Sequence, residues 1–113
     1  MNGPQSGDTT PRLDVSVDAE QRVLVLVGDV DVHTAEDLDA HLDRLGTGAD
    51  VVVDLAGVGF IDSSGLRVVI AHHQRLGDAS AALVLRSPSA AVTRLVQIAG
   101  LDEHLNVETG SPD

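Results

Sequence analysis

The sequence predicts a small mixed α/β domain, an opening β-hairpin followed by strands that alternate with amphipathic helices. Three observations carry this prediction. The chain has 113 residues, room for one domain. Its apolar residues change period along the chain, from alternation to helical spacing and back. The resulting order, β-β-α-β-α-β-α, calls for parallel neighbours joined by right-handed crossovers after the hairpin.

Leu13-Asp14-Val15-Ser16-Val17-Asp18 alternates apolar and polar side chains, as a strand with one wet face does. Ala19-Glu20-Gln21 is a turn, and Arg22–Val27 resumes as a nearly continuous apolar strand inside the sheet. Gly28 to His33 is expected to be a loop, with Thr34 capping a helix. Behind it Ala35, Leu38, Leu42 and Leu45 recur at helical spacing until Gly46 and Gly48 stop the helix. Val51-Val52-Val53-Asp54-Leu55 is a buried β-branched strand, and Gly57 and Gly59 are expected to flank a turn. Leu66, Val69, Ile70 and His73 are expected to share the buried face of a second helix that ends at Gly77. Ala81–Arg86 is another strand, with Ser87 as cap and Pro88 as first residue of a third helix. Its stripe is Val92, Leu95, Val96 and Ala99, and Gly100 ends it. Leu101–Leu105 reads as one more short turn and Asn106–Glu108 as a further extended segment. The domain spans 12–108, and the polar segments 1–11 and 109–113 read as disordered tails.

Hydrophobic residues make up 42% of the chain, enough for a core of Val, Leu, Ile and Ala, and Phe60 is the one aromatic residue. The formal net charge of −11 argues against nucleic acid and anionic membrane surfaces as partners, because both select basic residues. All seven basic residues are arginines, which removes P-loop and Schiff-base chemistry. No cysteine is available as nucleophile or ligand. The apolar runs fall short of a membrane span and residues 1–11 show no signal-peptide pattern, so the cytoplasm is the expected location.

The informative stretch runs from Val51 to Leu66, a buried strand that turns abruptly into a helix at Asp62-Ser63-Ser64-Gly65. Helix N-termini expose unpaired backbone N–H groups and a partial positive charge. Asp62 or Ser63 can cap them, and such an end accepts a phosphate. On these residues alone, a plain N-cap is the more common meaning of the motif.

The rest of the chain changes that balance. Gly28-Asp29-Val30-Asp31 with Thr34-Ala35, then Val53-Asp54-Leu55 through Phe60-Ile61-Asp62-Ser63-Ser64-Gly65-Leu66, then Ser87-Pro88 with Arg94-Leu95-Val96 and Ile98-Ala99-Gly100-Leu101, follow one another in a family's order. The sequence resembles a bacterial STAS domain of the anti-sigma-factor-antagonist type over residues 13–108. The resemblance implies a mixed sheet of four to five strands with helices packed mainly on one face. It also implies a partner, an anti-sigma factor with a histidine-kinase-like ATPase fold, bound by the unphosphorylated protein so that a sigma factor is released. That partner is also the serine kinase; ATP belongs to it, and this chain needs no cofactor of its own. A separate serine phosphatase resets the switch. The implied phosphoacceptor is Ser63, with Ser64 the alternative, and Asp31, Asp62, Ser63, Ser64 and Gly65 form the implied partner surface.

Two other chemistries compete with this reading. A serine between strand and helix suggests a hydrolase nucleophile, but the local sequence is not G-x-S-x-G. His72 and His73 lie too far along the helix to serve Ser63 as a base, so no enzyme is expected. A metal site is not expected either: His72 and His73 point about 100° apart, and His33, His41 and His104 show no i, i+4 pairing. Within the family, the alternative is a subunit of a stress-signalling or transporter-associated assembly.

Overall fold

The computed structural model describes residues 13–100 and 105–108; the expected tails, the Leu101–Leu105 turn up to residue 104, and His104 lie outside them. The strands are β1 (Leu13–Asp18), β2 (Val23–Val30), β3 (Val51–Ile61), β4 (Leu83–Arg86) and β5 (Asn106–Glu108). The helices are α1 (Ala35–Leu45), α2 (Ser63–Asp78) and α3 (Ala90–Ile98). One sheet carries all five strands in the order β1-β2-β3-β4-β5. β1 pairs antiparallel with β2, and every later neighbour is parallel.

This order decides where the core lies. Each crossover steps one strand in the same direction, and right-handed connections of that kind put their helices on one face. Leu24 and Leu26, Val51, Val53 and Leu55, and Leu83 and Leu85 point into that face and join Leu38, Leu42, Leu66, Val69, Leu76, Val92 and Val96 in one cluster. The other face stays open. It carries the exposed Val25 and Val27 and an Arg86–Asp54 ion pair of 3.0 Å. The expected sheet and helix placement are therefore both present.

Two local expectations fail for one reason. The first half of the Gly28–His33 loop and all of the Gly57–Gly59 turn are strand: β2 runs to Val30, with Asp31–His33 in the turn beyond it, and β3 is an unbroken 11-residue strand. Parallel pairing supplies hydrogen-bond partners that the glycines by themselves do not advertise. The glycines are absorbed as register shifts between Val25 and Val27 and between Gly28 and Asp29. At Gly57 the approach is close: a Cβ would sit 2.9 Å from Val27 Cγ2.

Other boundaries move by a residue or two. Ser89, not Ser87, caps α3, its hydroxyl accepting from Val92 N at 3.3 Å. Ser87 instead donates its N–H to Glu108 O at 2.7 Å, which ties β4 to β5. At the amino end of the parallel strands, Arg22 donates to the carbonyls of Leu45, Gly46, Ala49 and Asp50 at 2.7–3.0 Å. Those include carbonyls at the end of α1, which have no partner within the helix.

Candidate functional site

The site is built where β2 and β3 end side by side. Val30 and Ile61 are register partners, and Asp62 N donates to Val30 O at 3.0 Å. The residues that follow, Asp31 and Asp62, thus leave the sheet at the same edge.

Asp62 caps α2. Its Oδ1 accepts from Ser64 N at 2.8 Å and Gly65 N at 3.2 Å, while Leu66 N reaches Asp62 O at 3.0 Å. Of the two residues able to cap, the aspartate takes the position, and Ser63 becomes the first helical residue. Ser63 is exposed and Ser64 half-buried. Gly65 is buried because α2 comes down directly on the strand ends. A Cβ there would meet Val30 Cγ1 at 2.6 Å and Ile61 Cγ1 at 2.7 Å. The glycine shapes the site from beneath rather than forming its surface.

Asp31 has a similar fate. It is 8% exposed, with Oδ1 accepting from His33 N at 2.8 Å and Thr34 N at 3.1 Å. Thr34 Oγ1 accepts from Asp31 N and donates to Asp29 O, both at 2.9 Å. Thr34 therefore occupies the cap position of α1 without a side-chain cap bond, since its hydroxyl is engaged in the preceding turn. Of the five expected surface residues, only Ser63 is exposed, Asp62 and Ser64 are half-buried, and Asp31 and Gly65 are structural supports.

Two surface residues escaped the sequence reading. Phe60 is 49% exposed and Val32 63% exposed, flanking the paired ends of β3 and β2. The signal for Phe60 was present, since strand alternation that buries Ile61 must turn Phe60 outward.

The histidines also rearrange. His72, not His73, is the buried one, because the inner stripe of α2 runs Leu66, Val69, His72, Leu76. Its Nε2 lies 2.6 Å from Asp39 Oδ1 and 3.9 Å from Asp43 Oδ1, and Arg75 holds Asp43 at 2.7 Å. These contacts tie α1 to α2, and they bring Asp39, Asp43 and His72 within reach of one cation, a grouping that histidine spacing along the sequence does not reveal. His73 is half-buried, with Nδ1 buried and unpartnered. His41 Nδ1 lies 2.7 Å from Asp37 O, and His33 is exposed.

A mixed sheet covered on one face, with an aspartate-capped helix presenting a serine at the strand ends, is the arrangement expected of a STAS domain. Residues 13–108 match the family described as "Mlab, STAS domain", and the chain belongs to that family. It is 30% identical over 88 residues to the "Anti-sigma F factor antagonist" of Lysinibacillus sphaericus, covering 75% of each chain. Among solved structures, an anti-sigma factor antagonist from Mycobacterium paratuberculosis is 23% identical at a TM-score of 0.74, covering 93% of this chain and 90% of its own. The Bacillus cell fate determinant SpoIIAA in its phosphorylated form is 20% identical at a TM-score of 0.63, covering 86% and 91% respectively.

Proposed function

We propose that this chain is an anti-sigma-factor antagonist whose unphosphorylated form binds an anti-sigma factor and releases the sigma factor, and that phosphate on Ser63 ends the interaction. The observation that carries the reading is the exposed Ser63 at the first turn of α2, beside the half-buried cap Asp62. The relatives described as anti-sigma factor antagonists support it, including one known in a phosphorylated form. The partner in this reading is a serine kinase of the histidine-kinase-like ATPase type that brings its own ATP, and a serine phosphatase reverses the step. The chain itself is regulatory, working in the cytoplasm. His72 lies nine positions beyond Ser63, about 13 Å along the helix, and is turned toward Asp39.

The structure of the cap sets how such a switch acts. Asp62 already occupies the N–H groups of Ser64 and Gly65, so a phosphate on Ser63 meets a carboxylate where an uncapped helix would offer donors. About −1.5 to −2 charges are added beside Asp62 on a chain of net charge −11. The phosphate is therefore pushed outward into the binding surface and leaves the fold intact.

Calorimetric titration of the host's anti-sigma ATPase tests this. Wild type and Ser63→Ala should bind alike, Ser63→Ala should resist ATP-dependent release, and Ser63→Glu should bind far more weakly. Equal affinity for all three would refute the reading. The alternative, a subunit of a stress-signalling or transporter-associated assembly, is favoured if no anti-sigma ATPase of the host binds wild type.

A further inference from the structure

We infer that Phe60, supported by the exposed Val32, is the apolar anchor of the partner surface, inserted into a hydrophobic socket of the kinase that acts on Ser63. The inference rests on the reading of Ser63 as the phosphorylated switch. The chain has a single aromatic residue and leaves it about half in water, while its core is built entirely from aliphatic side chains. Folding therefore gains little from the ring. Binding has more to gain, because aromatic side chains at the centre of an interface carry a disproportionate share of its affinity.

Placement points to one occupant. Val17, Val25, Val27, Ile98 and Val107 are also exposed, but they lie on β1, the open middle of the sheet, α3 and β5. Val32 and Phe60 differ: each stands within two residues of the register pair Val30–Ile61, where α2 begins. Asp29 is the register partner of Phe60, and Asp62 follows two residues later. An apolar side chain at the strand ends, with Asp29 as its register partner and Asp62 and Ser63 two and three residues on, fits a socket rimmed by basic side chains. A partner seated on Phe60 would hold its kinase site over Ser63. Phosphate added there would place charge at the edge of a dry contact.

The test uses the full chain and the host's anti-sigma ATPase that phosphorylates it. Wild type, Phe60→Ala, Phe60→Leu, Val32→Ser and, as a control on α3, Ile98→Ser are compared for affinity and for the kinetics of phosphorylation. Circular dichroism checks the fold. Phe60→Ala should weaken binding by about thirtyfold, raising KM for phosphorylation while leaving kcat near wild type. The loss should be the same in low and high salt, since an apolar contact is not screened. Phe60→Leu should retain most of the affinity, Val32→Ser should lose about three- to tenfold, and Ile98→Ser should bind as wild type does. Binding of Phe60→Ala within twofold of wild type, while Ser63→Glu fails to bind, would overturn the anchor and leave the switch standing. Absence of both binding and phosphorylation for wild type would overturn the switch, and the anchor with it. A dimer of wild type that dissolves in Phe60→Ala, with partner affinity unchanged, would assign the ring to self-association and also overturn the proposal.

Discussion

The turns that start α1 and α2 use the same carboxylate chemistry and reach opposite ends with it. Each follows a parallel strand, and each begins with an aspartate whose Oδ1 accepts from the backbone N–H groups two and three residues on. The distances agree closely: 2.8 and 3.1 Å at Asp31, 2.8 and 3.2 Å at Asp62. The nearby hydroxyls differ. Thr34 is buried and its oxygen both accepts and donates within the turn, whereas Ser63 is exposed at the first helical position. One hydroxyl is spent on holding a turn together, and the other faces solvent. A cap motif in sequence therefore does not say whether its hydroxyl is available; the burial around it decides.

Substitutions can break this comparison in graded steps, the largest at Gly65. Adding a methyl group drives it into the buried side chains of Val30 and Ile61, so Gly65→Ala should destabilise by about 1–3 kcal/mol in urea unfolding. The start of α1 already holds a buried alanine at Ala35, so the sensitivity is particular to α2. Asp31→Ala leaves the donors of His33 and Thr34 without their carboxylate in a buried turn and should cost about 2 kcal/mol, also by urea unfolding. Asp62→Ala, at a half-buried and more hydratable end, should cost about 1 kcal/mol by the same measurement. Ser63→Ala and Ser63→Glu should each lie within about 0.5 kcal/mol of wild type in thermal melts, because Asp62 is the cap and Ser63 is exposed. For Ser63→Glu, attraction to the helix end is offset by repulsion from Asp62. If Ser63→Ala were as damaging as Asp62→Ala, the serine would be structural and the distinction between the two turns would collapse.

The same contrast shows what the residues themselves made legible. The opening hairpin, the first two crossovers and the third helix are readable because the apolar period changes at each junction, and with them the placement of Ser63 at a strand-to-helix corner. The continuity of β3 was not, since Gly57 and Gly59 look like a turn until β2 lies alongside. Burial of Asp31 was equally hidden: an aspartate in a polar stretch reads as surface, and only the tertiary turn shows its oxygen facing inward. The sequence favours His73 over His72 because adjacent positions on a helix differ by about 100° and the stripe's phase is set by Gly65 seated against the sheet. Exposure of Phe60 is legible only once it is placed in a strand, where alternation with Ile61 turns it outward.

The most direct test of the account is to map phosphate on the chain after incubation with the host's anti-sigma ATPase and ATP, and to measure how the modified protein binds. Both turns carry a hydroxyl near an aspartate that accepts backbone N–H groups, so the chain contains its own control. The account predicts one phosphate, on Ser63, with Thr34 and Ser64 unmodified, a melting temperature close to the unmodified protein's, and loss of binding to the ATPase. Phosphate on Ser64 or Thr34 with Ser63 unmodified, or full modification of Ser63 with affinity unchanged, would contradict it.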